Sequence, residues 1–123
     1  MLAHIHAVSL VRLALERRGD VHGWVPERAL YRGRPSPDVH VGDGEYTDRA
    51  GRRTAVEVEL TVKAADRLRR IIGDLTLEYD RVLYVTGDGR VAAAVRGAAA
   101  ALGEADRVHL VDLTVFALPQ EAA

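Results

Sequence analysis

The sequence contains no cysteine, a single lysine and no long uninterrupted apolar segment. Without cysteine the chain forms no disulfide bond and no zinc site with cysteine ligands, which suits a reducing cytoplasm. Arg12, Glu16, Arg17 and Arg18 interrupt the N-terminal segment, so we do not expect it to be a signal peptide. No stretch approaches the roughly 20 apolar residues that a membrane span needs. We therefore predict a cytoplasmic protein with no membrane partner.

The sequence also lacks an excess of one charge, because its 123 residues carry a net charge of −1. The chain as a whole is not attracted to nucleic acid, and any such binding must come from a local basic patch. Hydrophobic residues make up 48% of the chain and charged residues of both signs 28%, which indicates a folded domain. At this length we expect one domain over residues 1–118 and a short C-terminal tail over residues 119–123.

Hydrophobic periodicity predicts three helices and five strands in the order αβββαβαβ. The strands are expected at residues 22–25, 37–41, 54–63, 81–86 and 107–113, and the helices at residues 3–18, 64–79 and 91–102. The Gly42-Asp43-Gly44 segment is typical of a turn. Three successive strands followed by two helical crossovers predict an α/β (α+β) fold, with helices packed on a mixed sheet.

The strand predicted over residues 54–63, TAVEVELTVK, separates two kinds of side chain. Alternate residues point to opposite faces, so one face is apolar and the other carries Glu57, Glu59, Thr61 and Lys63. A solvated face is the ordinary interpretation of such a row. However, two carboxylates about 6.6 Å apart repel each other, and a divalent cation would offset that repulsion. Asp38, at the start of the preceding predicted strand, would face the same glutamates.

Lys63 is the single lysine in a chain with sixteen arginines. A lone ammonium at the end of an acidic row indicates a role that a planar guanidinium does not fill, although a stray lysine in an arginine-rich chain is the simpler explanation. Glu59 lies four residues earlier, about 13 Å away along an extended strand. A bulge, or a lysine that folds back from the strand end, is needed for the two to address one group.

Four arginines near this strand are candidates for nucleic-acid binding. Arg52 and Arg53 precede the strand, and Arg67 and Arg70 lie at helical spacing just after it. They would form a basic rim that neutralises phosphates. The alternative is a solvated helix face, because acidic residues on the same helix dilute its charge.

Together these features resemble the PD-(D/E)xK restriction-endonuclease-like superfamily and, more narrowly, the C-terminal domain of the replication-relaxation family of bacterial and plasmid proteins. The resemblance covers essentially the whole chain. The matching segments are His4-x-x-Ala7-Val8, Trp24 with Glu27, Pro37-Asp38, Glu57-x-Glu59-x-Thr61 and the Leu-Tyr-Val strand at 83–85.

The resemblance implies a nuclease-like domain with a restriction-endonuclease-like fold that acts on nucleic-acid phosphodiesters, with DNA as the expected substrate, in plasmid, replication or mobile-element biology. Asp38 and Glu57 or Glu59 would hold Mg²⁺ or Mn²⁺, and Lys63 would stabilise the developing charge or orient a water molecule. Replication-relaxation proteins usually carry an N-terminal winged-helix part, so a separate DNA-binding domain is an expected partner.

Two other hypotheses remain open. Thr61 stands where the superfamily has an acidic residue, two positions before the lysine. This departure favours a catalytically degenerate module that binds DNA or docks on a protein. A third hypothesis is a purely structural or dimerising domain of larger complexes, with a homodimer as its expected assembly.

Overall fold

A computed structural model describes residues 2–19 and 21–117. Its five strands are β1 (His22–Pro26), β2 (Gly44–Thr47), β3 (Arg53–Glu59), β4 (Arg81–Thr86) and β5 (Val108–Asp112). Its helices are α1 (Leu2–Arg18), α2 (Glu27–Gly33), α3 (Ala65–Glu78) and α4 (Gly89–Ala101), and a 3₁₀ turn (Leu113–Phe116) follows β5. The predicted tail over residues 119–123 lies outside the described residues. Within those residues, no helix has the length and apolar character needed to cross a bilayer.

The five strands form one mixed sheet whose spatial order is the chain order. Strands β1, β2 and β3 form an antiparallel meander, and β4 and β5 continue the sheet parallel to β3. Helices α3 and α4 provide the two crossovers that parallel neighbours require. The predicted α/β class and mixed sheet are therefore confirmed.

Apolar layers cover both faces of this sheet. Helices α3 and α4 pack on one face through residues such as Ile72 and Val95, neither of which is exposed to solvent. Helix α1 and the 3₁₀ turn cover the other face through Val11 and Phe116. Because both faces are covered, β3 is buried along its whole length after Arg53.

The strand predicted over residues 37–41 is wrong, because this segment is a loop and the second strand is β2. Backbone N–H groups of the loop are satisfied without a neighbouring strand. Those of Asp38 and Val39 donate to the side chain and the carbonyl of Ser36, both at 3.2 Å, and that of His40 donates to Asp74 Oδ2 at 2.8 Å. Pro37 has no N–H to offer a ladder. Gly44, predicted to belong to a turn, instead begins β2, where the Trp24 ring fills the space that a Cβ would need.

Helix α2 was not predicted, since none of its residues is buried and it therefore lacks a periodic apolar face. It begins directly after Pro26, with Glu27 in its first turn, where a negative charge is favourable. The third strand is also shorter than predicted. It ends at Glu59, opposite the last residue of β4, Thr86, so Thr61 and Lys63 lie beyond it.

Arg107 ties the last turn of α3 to the segment before β5, and its replacement tests that connection. Its guanidinium donates to the Thr76 carbonyl at 2.6 Å, to the Tyr79 carbonyl and to the Glu104 carboxylate. We expect Arg107→Ala to lower the free energy of unfolding by about 1.5–3 kcal/mol, the usual range for hydrogen bonds of a charged group. Urea denaturation measures it. Arg96→Ala, at an exposed position of α4, is the control and should change stability by less than about 0.5 kcal/mol.

Candidate active site

The end of β2 leaves the second half of β3 without a strand on one side. The ladder between them stops at the pair Gly44 and Val56. Asp43, the residue before β2, continues the hydrogen bonding to β3 with both its backbone and its side chain. Its N–H donates to the Val56 carbonyl at 2.8 Å, and its Oδ2 accepts from the Val58 N–H at 2.7 Å. This short connection fixes a carboxylate beside the end of β3.

Glu57 and Glu59 lie on the face of β3 opposite to Val58, and both are buried. Their exposed fractions are 4% and 3%, which excludes a solvated polar face. Each contacts a basic side chain: Glu57 Oε2 lies 3.0 Å from His40 Nε2, and Lys63 Nζ donates to Glu59 Oε2 at 2.7 Å. The lysine therefore folds back from the strand end, one of the two geometries that the sequence allowed.

These groups open on a cavity of about 460 Å³, which we call the acidic cavity. Its wall includes the carboxylates of Asp43, Glu57 and Glu59, the Lys63 ammonium, and side chains from α1, α2 and the 34–43 loop. From α1, His4 Nε2 lies 3.2 Å from Asp43 Oδ1. Three buried carboxylates around one cavity are costly to fold, so such groupings are concentrated at functional sites.

Two neighbouring groups in the acidic cavity have shifted protonation equilibria. Burial raises the pKa of Glu57 to about 7, and the nearby charge of Asp43 adds to this, while the hydrogen bond to His40 and the charge of Lys63 oppose it. Burial lowers the pKa of His40, but the hydrogen bond to Glu57 and the negative charges of Glu57 and Asp43 outweigh burial and leave this pKa raised. Glu57 therefore changes its protonation state near neutral pH, the range that general acid–base chemistry uses, and His40 is hydrogen-bonded to it.

Tyr84 is a further polar side chain beside the two glutamates. It is the register partner of Glu57 on β4 and is fully buried. Its hydroxyl has no partner of hydrogen-bond geometry among the described residues. Burial, followed by the charges of Glu57 and Glu59, raises the pKa of this hydroxyl, so it remains protonated. It is a neutral donor facing carboxylates inside the core.

The structure does not bring Asp38 to the glutamates. Asp38 is exposed in the 34–43 loop, and its carbonyl accepts from Arg70 at 3.0 Å. The expected contact required a strand over residues 37–41, which this loop does not form. Asp43 stands beside Glu57 and Glu59 instead, with Lys63 as predicted. The position of Asp43 between two glycines, directly before the strand that pairs with β3, is the signal that could have identified it.

The four predicted nucleic-acid-binding arginines separate into two groups. Arg67 and Arg70 line a groove of about 450 Å³, the basic groove, which adjoins the acidic cavity through Tyr31, His40 and Val41. The other two lie at the start of β3, roughly 20 Å along the strand from Glu59. There Arg52 pairs with Asp48 at 2.8 Å, and Arg53 pairs with Glu45 at 3.1 Å.

The acidic cavity is not a preformed metal cage. Among residues 2–19 and 21–117, no three acidic or histidine side chains are arranged as ligands of one ion. Asp43 and Glu57 are nevertheless close enough that the charge of Asp43 raises the pKa of Glu57. One or two carboxylates are the usual protein contribution to a magnesium site, so the donor chemistry of this pair fits such an ion.

Comparisons with protein-family models, with curated proteins and with solved structures give no match for this chain. The resemblance drawn from short motifs therefore remains a prediction. The mixed sheet and the acidic cavity stand on the structure alone.

The raised pKa of Glu57 makes stability depend on pH. The folded chain keeps the Glu57 proton up to about pH 7, whereas the unfolded chain releases it near pH 4.5. This contribution is fully present below pH 4.5 and is lost as pH rises through 7, and the raised pKa of His40 acts in the same direction. We expect Glu57→Gln, which cannot ionise, to be more stable than the wild type at pH 8, by up to about 3 kcal/mol.

Thermal and urea unfolding from pH 4 to 9 in EDTA measures this difference. The gap between Glu57→Gln and the wild type should close near pH 4.5. Glu16→Gln, on the exposed side of α1, is the control and should show no such divergence. A wild type that is as stable as Glu57→Gln at pH 8 contradicts the assigned shift.

Proposed function

We propose that this chain is a nuclease-like domain that uses Mg²⁺ or Mn²⁺ to act on nucleic-acid phosphodiesters, with DNA as the expected substrate. The observation that carries the proposal is the burial of Asp43, Glu57 and Glu59 around one cavity together with Lys63. The resemblance to the PD-(D/E)xK superfamily supports it, with Asp43 in place of Asp38 as the aspartate beside the acidic strand.

Asp43 and Glu57 are the groups that would hold the ion. Both are fixed before any ligand arrives, Asp43 by the Val58 N–H and Glu57 by His40. A bound cation would favour the ionised form of Glu57 and so reverse the effect of burial on its pKa. When bound, a divalent ion supplies Lewis-acid polarisation of a phosphoryl oxygen and a more acidic water molecule.

Lys63 supplies a positive charge at the mouth of the cavity. Its ammonium is held by the nearly buried Glu59 carboxylate but is itself partly exposed. A phosphate entering the cavity would meet this ammonium, which has two further N–H donors. We therefore expect the single lysine of the chain to stabilise negative charge that develops on the phosphate.

His40 and Glu57 form the acid–base pair of the cavity. His40 is oriented at its backbone by Asp74 and at its ring by the carboxylate. It lines the acidic cavity and the basic groove at once, so it lies on the path between them. This position suits a group that gives or takes a proton at the leaving or attacking oxygen.

The proposal predicts metal-dependent cleavage that requires the cavity residues. Plasmid or oligonucleotide DNA incubated with the protein and Mn²⁺ or Mg²⁺ should be cut, and EDTA should stop the reaction. Glu57→Gln and Lys63→Ala should each lower the rate at least about 100-fold, the scale seen when one stabilising group is lost from a reaction centre. Glu16→Gln is the matched control for Glu57→Gln and should cleave at the wild-type rate.

Metal binding gives a readout that does not depend on turnover. Mn²⁺ should raise the melting temperature of the wild type at pH 8 and leave that of Glu57→Gln unchanged, because a ligand stabilises only the state that binds it. Equal cleavage by the wild type and Lys63→Ala, or no effect of Mn²⁺ on melting, contradicts the proposal.

The basic groove should carry the contact with the nucleic-acid backbone. Arg34, Arg67 and Arg70 line it, and the Arg34 guanidinium lies 4.7 Å from the centre of the exposed Tyr31 ring. Replacing both Arg67 and Arg70 with Gln should weaken DNA binding and reduce its salt dependence by about one to two units of slope. Fluorescence anisotropy at several salt concentrations measures this. Arg96→Gln is the control, and a double variant that binds like the wild type excludes the groove.

A non-catalytic module is the second candidate, and the Lys63–Glu59 ion pair favours it. In the structure the ammonium is directed to a carboxylate, and Thr61 is exposed beyond the strand. This candidate predicts DNA binding through the basic groove without metal binding or cleavage. The Mn²⁺ melting experiment separates the two functions directly.

A further inference from the structure

A second cavity lies on the α1 side of the sheet, at the opposite end of the strands from the acidic cavity. Its volume is about 450 Å³, within the range of roughly 300–1,000 Å³ that small-ligand sites occupy. It is bounded by the end of α1, the turn between β2 and β3, the first residues of β4 and β5, and the 3₁₀ turn. We call it the arginine cavity.

The wall of the arginine cavity is strongly basic. Arg18, Arg49, Arg52 and Arg81 line it, and Asp48 is the one acidic side chain among its described lining residues. Asp48 is already engaged, because it accepts from the Arg52 guanidinium and from two backbone N–H groups. This concentration of positive charge occurs in a chain whose net charge is −1.

Arg81 lies in this wall, half-buried at the start of β4. Its guanidinium forms no hydrogen bond or ion pair with any described residue. His109, the register partner of Leu83 on β5, also lines the cavity, and its pKa is lowered by burial and by the positive charge of Arg81. A partly buried guanidinium that faces other cations is stabilised when an anion binds between them.

The remaining wall is apolar and includes an aromatic ring. Leu83 and Val111 contribute from the sheet, and Phe116 from the 3₁₀ turn. The Arg18 guanidinium lies over the Phe116 ring at 5.3 Å and donates to the Val115 carbonyl at 3.1 Å, which leaves other N–H groups of its fork for a ligand. A ligand that fits here combines a flat or apolar body with a group of high negative charge.

We propose that the arginine cavity binds an organic phosphate of mononucleotide size, with the phosphate held by Arg81 and Arg18 and the apolar body resting on Leu83, Val111 and Phe116. The negative charge of a phosphate suits a site with the two cations Arg81 and Arg18, and its oxygens suit the bidentate geometry of guanidinium groups. The site is independent of the acidic cavity, because it lies at the opposite end of the strands and requires no metal ion.

Calorimetric titration of the full chain in EDTA with each of the four nucleoside 5′-monophosphates tests this proposal. At least one of them should bind saturably, and the matching nucleoside and inorganic phosphate should each bind at least tenfold more weakly. Arg81→Gln should weaken binding at least tenfold. Arg96→Gln and Glu57→Gln should bind like the wild type, which separates this site from the acidic cavity.

Circular dichroism verifies that the variants are folded, and Arg18→Gln replaces Arg81→Gln if the latter is not. No saturable binding of any monophosphate up to about 1 mM overturns the proposal. Unchanged affinity in the folded arginine variant also overturns it. Inorganic phosphate that binds as tightly as the monophosphates overturns the role of the apolar wall.

Discussion

The hydrogen bond from the Val58 N–H to the Asp43 carboxylate stands where the ladder between β2 and β3 stops, and the acidic cavity depends on it. An unsatisfied N–H at this buried position would cost about 1–3 kcal/mol. A side-chain carboxylate meets that need without extending the strand, so the chain can turn away and leave space beside β3. The same bond holds a negative charge next to Glu57, where the sheet is covered on both faces.

Burial of these carboxylates sets the electrostatics of the site. Desolvation raises the pKa of Glu57 to about 7 although the hydrogen bond to His40 opposes it, and the charge of Glu59 is paired with Lys63. An apolar strand end would be more stable, because the attraction within a buried ion pair only roughly balances the free energy lost by desolvating the two charges. A chain that places acidic residues on its most buried strand therefore gives up stability there, a pattern characteristic of functional sites.

Two clusters of charged side chains lie at opposite ends of the strands. Acidic groups gather at the carboxyl end of β3, at the edge where α/β sheets ordinarily bind ligands. Arginines gather near the amino ends of β4 and β5, around a cavity on the α1 side. The near-zero net charge of the chain does not reveal these clusters, because a net charge adds up residues that lie far apart in the folded protein.

The periodicity of the sequence determined the helix over residues 64–79, the strand Arg81–Thr86 and the alternation of Glu57 and Glu59 with valines, because these patterns follow from local geometry. Tertiary structure alone decided that Asp43 and not Asp38 meets the glutamates, since the backbone N–H groups of Asp38 and His40 donate to Ser36 and Asp74, whereas that of Asp43 donates to β3. It also decided that Lys63 folds back and that Arg52 lies far from Arg67. Such contacts join residues distant in the chain, and only the packing of the whole sheet determines which of them form.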